Sequence, residues 1–421
     1  MSLWILAATR TPFLRAGTQF APLDAVELGR HAVVALLTKT GLDPAELDEV
    51  ILGCVGQPAD AANIARVVAL RAGIPVCVPA ATVQRNCASG LESITTAYER
   101  MTAGRGELFI VGGVESMSHA PLLFQQATAK KFESLGRAKT PFQKLGAATR
   151  FRPHDFTPRI GLKLGLTDPY SGLMMGSTAE ILAREYCVTR EDQDLFAADS
   201  HRKALAAKDA RDAEITPVQV NGEAVTTDNG PRADSTPDKL AKLRPIFEPG
   251  WGTVTAGNSS QVSDGAVALL VGSEAAAQRL GLTPLGRLTH YHYSGCDPAR
   301  MGLGPAHAIA AARSKGAPSP EEADVVELNE AFAAQAIAVL KALRDSKAAQ
   351  LAGLSEAPGE IRPETLNRRG GAIALGHPVG ATGSRLVLTA LDQLREIDGR
   401  RALITLCVGG GQGAAVWLER P

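Results

Sequence analysis

Cys87 stands directly before the small residues that open a predicted helix, in the stretch VQRNCASGL at positions 83–91. The unpaired N–H groups and the dipole at a helix N-terminus stabilise a thiolate, which is the nucleophilic form of a cysteine. The alternative is a buried structural cysteine, which is the commoner role of an isolated cysteine. The role of Cys87, as a nucleophile or as a packing residue, therefore has to be inferred from the other polar residues of the chain.

A glycine-rich segment contains the second reactive group. His377 lies in RGGAIALGHPVGATG at positions 369–383, with glycines on both sides that allow close backbone approach. A histidine at such a position can act as a base near neutral pH. A phosphate-binding loop is the alternative, but no Gly-Lys-Ser/Thr follows, which excludes a nucleotide P-loop.

Two more polar residues follow strand-like runs, at the carboxyl ends where α/β proteins build their sites. Cys407 ends a buried run that enters the glycines 409–411, and a tight turn would explain it equally well. Asn329 follows the strand-like Val325-Val326, and a helix cap is its alternative. Together the four residues supply a nucleophile, its base, a second acid or base and oxyanion donors, as acyl transfer through a thiol requires.

The composition limits the class of protein. With 421 residues the chain is too long for one core, and 45% hydrophobic but only 5% aromatic residues, with 42 glycines, predict tightly packed α/β units. Lys and Arg number 44, as do Asp and Glu, so the overall basic field of a nucleic-acid-binding protein is absent. The six cysteines show no CxxC spacing, so neither a metal site nor a disulfide is expected.

The first residues form an apolar run without a basic region before it, and Arg10 and Pro12 follow soon after. This pattern predicts a buried strand rather than a signal peptide. No apolar run reaches the length of a membrane span. We therefore expect a cytoplasmic protein with reduced thiols and no membrane span.

The elements that must position these residues are short apolar strands and intervening helices. Buried parallel strands are predicted near 3–8, 49–55 and 107–112, and helices over 24–40 and 88–103. Prolines and Lys/Arg-rich stretches then indicate an inserted, partly helical segment, after which a strand-like run returns the chain to the core. The predicted division is an N-terminal half at 1–120, an inserted loop domain at 121–249, a return of the N-terminal half at 250–285 and a C-terminal half at 286–421.

The two halves contain similar sequence patterns. Small residues at 87–90, a helix and a buried strand at 108–113 have a counterpart in small residues at 380–383, a helix and a strand at 402–406. A duplicated unit of this kind would place the N-termini of the two helices beside each other.

At several separate places the residues resemble the thiolase family. The motifs are RTPF at 10–13, GGVESMS at 112–118, TAGNSS at 255–260 and CVGGG at 407–411, so the likeness covers nearly the whole chain. The resemblance implies the α/β thiolase fold, in which two similar α/β halves form five αβαβα layers with an inserted loop domain that binds coenzyme A. It also implies a homodimer or homotetramer, with coenzyme A as a substrate and no cofactor.

The resemblance assigns a role to each candidate residue. Cys87 matches the acylated nucleophile, and His377 matches the histidine that activates it and helps to form the first oxyanion hole. Asn329 matches the residue that holds the water of that hole. Cys407 matches the second cysteine, which moves protons to and from the substrate or the CoA thiol. The backbone N–H groups of Cys87 and Gly409 match the second oxyanion hole.

Four further positions match the path of the pantetheine and acyl chains, namely Met175, Ala256, Ser260 and Phe332. The chain also departs from the short-chain biosynthetic members. Gln84 replaces an asparagine three residues before the nucleophile, and Met174 replaces a histidine before Met175. The long segment at 124–171 is more similar to members of fatty-acid β-oxidation.

The resemblance therefore implies an acyltransferase that cleaves a 3-oxoacyl-CoA with CoA, or runs the reverse Claisen condensation of acetyl-CoA, through an acyl-cysteine at Cys87. Fatty-acid β-oxidation is the predicted role, and a biosynthetic acetoacetyl-CoA thiolase is the alternative. A decarboxylating ketosynthase is disfavoured by Cys407, and a non-catalytic subunit would have lost Cys87 or His377. A hydratase/dehydrogenase subunit is a further possible partner.

Overall fold

The computed structural model describes residues 2–421. Apolar, β-branched runs of the sequence form strands, most of them buried along their whole length. The strands are β1 (Trp4–Arg10), β2 (Leu14–Arg15), β3 (Glu49–Gly53), β4 (Ala80–Val83), β5 (Leu108–Ser116), β6 (Leu122–Leu123), β7 (Arg159–Ile160), β8 (Val218–Val220), β9 (Glu223–Val225), β10 (Ser263–Gly272), β11 (Gly286–Gly295), β12 (Val325–Leu328), β13 (Arg401–Val408) and β14 (Gln412–Glu419).

The helices begin after polar caps or prolines in several cases, as at Asp24, whose side chain accepts from the Glu27 N–H. They are α1 (Ala25–Thr40), α2 (Ile64–Arg71), α3 (Ser89–Thr102), α4 (Gln126–Arg137), α5 (Pro141–Ala148), α6 (Gly161–Gly165), α7 (Met175–Glu185), α8 (Arg190–Ala206), α9 (Lys208–Asp212), α10 (Pro237–Leu240), α11 (Glu274–Arg279), α12 (Gly304–Arg313), α13 (Ala333–Arg344), α14 (Ser346–Leu351), α15 (Ala372–Leu375) and α16 (Val379–Glu396).

The main sheet runs in the order β12-β13-β14-β11-β1-β10-β5-β3-β4, with β2 beside β10. Two short pairings, Trp4 with Arg287 and Ile5 with Gly286, are all that join β1 to β11. The sheet therefore consists of two halves, one built by the first 272 residues and one by the strands from β11 onward.

Three hydrophobic cores lie between the layers of helices and sheets. The first core lies between α1 and α2 and one face of β1, β3, β5 and β10. The second encloses α3 and α16 between the other face of these strands and β13 and β14. The third packs α12 and α13 on the far side of β12, β13 and β14. The order helix, sheet, helix, sheet, helix gives the α/β fold with two similar halves, and α3 and α16 occupy its centre.

The predicted strands near 3–8, 49–55 and 107–112 are confirmed as β1, β3 and β5, and the predicted helices as α1 and α3. The three strands run in the same direction, because β10 is antiparallel to both β1 and β5 and β3 is parallel to β5, but β1 has no parallel neighbour. β3 and β5 pair in parallel, whereas β1 runs antiparallel to both β10 and β11. A strand buried on both faces is a continuous apolar run whichever way its neighbours run, so the sequence pattern does not reveal direction.

The part of the chain between β5 and β10 contains helices α4–α10 and two small antiparallel sheets, β6-β7 and β8-β9. β10 then inserts between β1 and β5, antiparallel to each. The boundaries at 121, 249 and 285 stay a prediction. No helix within residues 2–421 is both long and apolar enough to cross a membrane.

Candidate active site

The N-terminal ends of α3 and α16 meet at the centre of the molecule. A methyl group on Gly90 would lie 2.7 Å from the Ser384 nitrogen, and one on Gly383 would lie 2.7 Å from the Leu91 nitrogen. Glycine is required at both positions because the two helices touch backbone to backbone. The predicted neighbourhood of the two helix N-termini is confirmed, and it brings the turn before α3 close to the loop before α16.

Cys87 lies on the turn between β4 and α3 and is half-buried. The preceding residue, Asn86, has φ of 43°, and its amide nitrogen donates to the Gly409 oxygen at 2.7 Å. The backbone N–H groups of Gly409 and of Cys87 itself point at the thiol. Burial raises the pKa of the Cys87 thiol above its ordinary value, although the two N–H groups lower it. The effect of burial therefore outweighs the expected stabilisation of the thiolate, and the thiol needs a base to remove its proton.

His377 is buried in the loop before α16, and its two ring nitrogens have different surroundings. Nδ1 lies 2.6 Å from the Thr382 hydroxyl, which donates to the Pro378 carbonyl oxygen at 2.9 Å. The Thr382 hydroxyl has one proton, and it is donated to the Pro378 carbonyl. Nδ1 therefore carries the proton of the imidazole ring and donates a hydrogen bond to the Thr382 oxygen. Nε2 is left as an acceptor with no partner among the described residues.

The charge state of His377 suits a base. Burial, with a smaller effect of the Arg385 cation, lowers the pKa of His377 to about 4. The imidazole is therefore neutral near pH 7, and its free Nε2 can accept a proton from a thiol.

Asn329 is fully buried just beyond the end of β12, where its backbone nitrogen donates to the Thr405 oxygen at 3.0 Å. Its side-chain oxygen and nitrogen have no hydrogen-bond partner among the described residues. The helix-cap alternative is wrong, because the next helix, α13, is capped at Phe332 and receives no side-chain bond. A buried amide without protein partners is suited to hold a water or a substrate group.

Cys407 is the penultimate residue of β13 and is fully buried, in a small cluster that includes Phe332 and Met301. Burial raises its thiol pKa well above the ordinary value, and the nearby thiols of Cys87 and Cys296 raise it further. Cys407 is therefore a neutral thiol that can donate a proton beside the Cys87 thiol.

A cavity of about 550 Å³ leads to this centre. The base His377 and all four positions predicted to contact CoA lie in its wall, namely Met175, Ala256, Ser260 and Phe332. The wall is mainly apolar, but Arg15, Arg232, Lys239 and Asp234 also line the cavity, and Asp234 pairs with both Arg232 and Lys239. An apolar cavity whose charged residues carry a net positive charge fits a long ligand that has an anionic part.

The other predicted residues lie behind this wall. Cys87, Cys407, Asn329 and Gly409 do not line the cavity. Two lining residues connect them to it: a methyl group on Gly409 would lie 3.4 Å from the Met175 sulfur, and Phe332 packs in the cluster of Cys407. Gly409 and Cys407 therefore adjoin the cavity wall, and Cys87 adjoins Gly409, whose N–H points at its thiol.

Sequence reasoning missed three residues that hold this site together. Thr382 orients His377, and Asn86 ties the Cys87 turn to Gly409. The buried carboxylate of Glu115 accepts from three backbone nitrogens, at 2.7–3.1 Å, and so joins the two halves; the donors are Val55, Gly56 and Gly380. All three stand in stretches quoted from the sequence, but only their partners in space show what they do.

Both parts of the chain match known family domains. Residues 3–275 match the N-terminal domain of thiolase, and residues 282–420 match the C-terminal domain of thiolase. An acetyl-CoA acetyltransferase of Pseudomonas aeruginosa is 41% identical over 99% of this chain and 98% of its own length. A probable acetyl-CoA acyltransferase of Staphylococcus aureus is 39% identical over the same shares of the two chains.

Solved structures agree with these relatives. The Bacillus anthracis acetyl-CoA acetyltransferase superposes with a TM-score of 0.86 at 37% identity, over 100% of this chain and 99% of the other. The human mitochondrial 3-ketoacyl-CoA thiolase in complex with CoA gives a TM-score of 0.85 at 36% identity, over 100% and 98%. The chain belongs to the thiolase family, and it is an acyltransferase.

Proposed function

We propose that this enzyme cleaves 3-oxoacyl-CoA with CoA through an acyl-cysteine on Cys87, as a degradative step of fatty-acid β-oxidation. The observation that carries the proposal is the free Nε2 of a neutral, buried His377 in the wall of the cavity. The Cys87 thiol, on the turn before α3, has a raised pKa and needs such a base.

In the first half-reaction, His377 Nε2 takes the Cys87 proton and the sulfur attacks the C3 carbonyl of the substrate. The C2–C3 bond then breaks, and its electron pair forms the enolate of acetyl-CoA. The neutral Cys407 thiol donates its proton to C2. Acetyl-CoA leaves, and the shortened acyl group stays on Cys87 as a thioester.

In the second half-reaction, the thiol of CoA gives its proton to the Cys407 thiolate and attacks the acyl carbon. The N–H groups of Cys87 and Gly409, which point at the Cys87 sulfur, are placed to donate to the oxygen of the tetrahedral intermediate. Breaking the C–S bond returns the electron pair to Cys87, which recovers its proton from His377. Each step conserves protons, and the reverse sequence is the Claisen condensation.

Asn329 and His377 are proposed to stabilise the enolate oxygen, Asn329 through a water held by its unpartnered amide. Arg15 supplies positive charge for the phosphates of CoA, as do Arg232 and Lys239, whose shared partner Asp234 neutralises one charge of this pair. The apolar wall accepts the pantetheine and acyl chains. Coenzyme A is thus a substrate, and no step requires a further cofactor or a metal.

Biosynthetic condensation of acetyl-CoA is the second candidate, because one relative and one structural neighbour are named acetyl-CoA acetyltransferases. Apolar Met174 and Leu166 in the cavity wall favour longer substrates. A series of kcat/KM values for 3-oxoacyl-CoA substrates of increasing chain length separates the two. The proposal includes a cytoplasmic homodimer or homotetramer, and co-purification tests association with a hydratase/dehydrogenase subunit.

Peptide mapping after brief incubation with acetyl-CoA tests the covalent step. The acetyl group is expected on Cys87, and Cys87→Ala should abolish both labelling and turnover. Cys54→Ala is the matched control, because Cys54 is a fully buried thiol near Glu115 with no role in the reaction. Acetylation of Cys54 or Cys187 in place of Cys87 would contradict the proposal.

A further inference from the structure

A segment between β5 and α7 differs in charge from the rest of the molecule. This segment, here named the basic insert, comprises residues 122–165 and contains β6, α4, α5, β7 and α6. It carries nine Lys and Arg against two Asp and Glu, a net charge of +7. Since the whole chain has zero net charge, the remainder carries −7. The molecule is therefore strongly polarised.

Most of these cations have no internal partner. Lys131 pairs with the buried Asp155 at 2.6 Å, and Arg137 lies 3.7 Å from Glu133. The other seven are exposed and form no ion pair within residues 2–421; they are Lys130, Lys139, Lys144, Arg150, Arg152, Arg159 and Lys163. Their positive charge is directed to solvent rather than into the fold.

The same segment exposes large apolar side chains. Phe142 is 88% exposed and Leu145 is 64% exposed, and they lie one turn apart on the same face of α5. Other exposed apolar residues of the basic insert are Leu122, Leu123, Phe124, Phe132, Phe156, Ile160 and Leu164. Phe124, Phe151 and Phe156 pack around Phe132. Phe142 and Leu145, in contrast, belong to none of the hydrophobic cores.

We propose that the basic insert docks on the surface of an anionic lipid bilayer. A helix that presents apolar side chains among lysines lies in the bilayer interface, with its apolar face among the acyl chains and its cations at the headgroups. Phe142 and Leu145 enter the interface, and Lys139 and Lys144 flank them on the same helical hairpin. Neither charge nor apolar exposure alone requires a bilayer, but the two in one segment match its surface.

Charge argues against a second copy of this chain as the occupant. A symmetric dimer through the basic insert would place one +7 surface against the same surface of the partner, and like charges repel. Single-stranded nucleic acid would match the charge, but it would leave the aliphatic Leu145, Ile160 and Leu164 in water. An anionic bilayer satisfies both features.

The basic insert is also continuous with the cavity wall. α6 ends at Gly165, the next residue, Leu166, lines the cavity, and its carbonyl accepts from the Met175 nitrogen at 2.9 Å. Docking would bring the cavity close to a surface in which acyl-CoA amphiphiles partition; this consequence rests on the proposed function.

Vesicle flotation of the purified full chain tests the docking surface. Binding is expected to vesicles of phosphatidylglycerol and phosphatidylcholine in equal parts, with little to phosphatidylcholine alone, and it should weaken as salt is added. Phe142→Ser with Leu145→Ser should lower the partition coefficient by roughly tenfold to a hundredfold. Lys139→Glu with Lys144→Glu should lower it by about tenfold or more.

Two exchanges in α14 are matched controls, since Leu351 is 51% exposed and Lys347 is an exposed lysine outside the basic insert. Leu351→Ser and Lys347→Glu should leave flotation unchanged, and thiolysis by every variant reports that it is folded. Absence of flotation with anionic vesicles, or an equal loss in the control variants, would overturn the proposal. Binding to polyuridylic acid without binding to vesicles would also overturn it. So would a parent protein that does not bind vesicles and a Phe142→Ser, Leu145→Ser variant with a different number of subunits, because the surface would then be a protein interface.

Discussion

The hydrogen bond between Thr382 and His377 gives a sharp test of the proposed base. In Thr382→Val the side chain keeps its shape but loses the hydroxyl that accepts from Nδ1 at 2.6 Å. The ring proton then either stays on Nδ1 without a partner or moves to Nε2, where it blocks the acceptor that Cys87 needs. Either state raises the barrier to forming the thiolate.

The size of the effect follows from burial. Leaving a buried donor unpaired costs about 1–3 kcal/mol, so kcat should fall roughly fivefold to 150-fold. KM should change little, because Thr382 does not line the cavity. Thr382→Ser, which keeps the hydroxyl, should recover most of the rate, and Thr389→Val is a control for a buried threonine exchange elsewhere in α16.

The assay combines steady-state thiolysis of acetoacetyl-CoA with the pH dependence of Cys87 alkylation by iodoacetamide. Loss of the positioned base should lower the alkylation rate near neutral pH in Thr382→Val but not in Thr389→Val. If Thr382→Val shows the parent kcat and the parent alkylation profile, Thr382 does not position His377, and its hydroxyl only caps the backbone of the helix.

Three further outcomes are expected. Asn329→Ala should lower kcat by about 10²–10³ with little change in Tm, since its side chain bonds no protein group; a collapse of Tm with activity kept would contradict this. Cys407→Ala should still form the acyl-enzyme on Cys87, as mass spectrometry would show, but should lower thiolysis by roughly 10²–10⁴; near-normal thiolysis would remove Cys407 from the mechanism. Burial lowers the pKa of both His377 and His201 to about 4, so between pH 6.5 and 4 the unfolded chain binds protons that the native chain does not. The free energy of unfolding should therefore fall as the pH drops through this window, and denaturant titrations should show a smaller fall in His201→Gln than in the parent.

The sequence by itself determined the inventory of the site. Cys87, His377, Asn329 and Cys407 were each found from a reactive side chain at the junction of an apolar run with small residues. These junctions are local features, and a buried strand or the opening of a helix is readable from a few neighbouring residues. The same local patterns predicted the strands β3 and β5 and the helices α1 and α3.

Only the tertiary structure decided how those residues act. The net rise in the pKa of Cys87 depends on burial under other segments, which competes with the two N–H groups that the sequence suggested. The free Nε2 of His377 and the exclusion of a cap role for Asn329 depend on which groups lie within hydrogen-bond distance. The antiparallel pairing of β1 with β10 and β11 likewise depends on strands that the chain adds more than 250 residues later.

The basic insert likewise has some properties that the sequence shows and others that only the folded structure shows. Its surplus of Lys and Arg is visible in the sequence, but the exposure of Phe142 and Leu145 is not, because an apolar side chain on a helix is more often buried. Local sequence determines which groups are present and which backbone they favour. Desolvation, hydrogen-bond partners and exposure are set by residues distant in the sequence, so these properties arise only when the chain has folded.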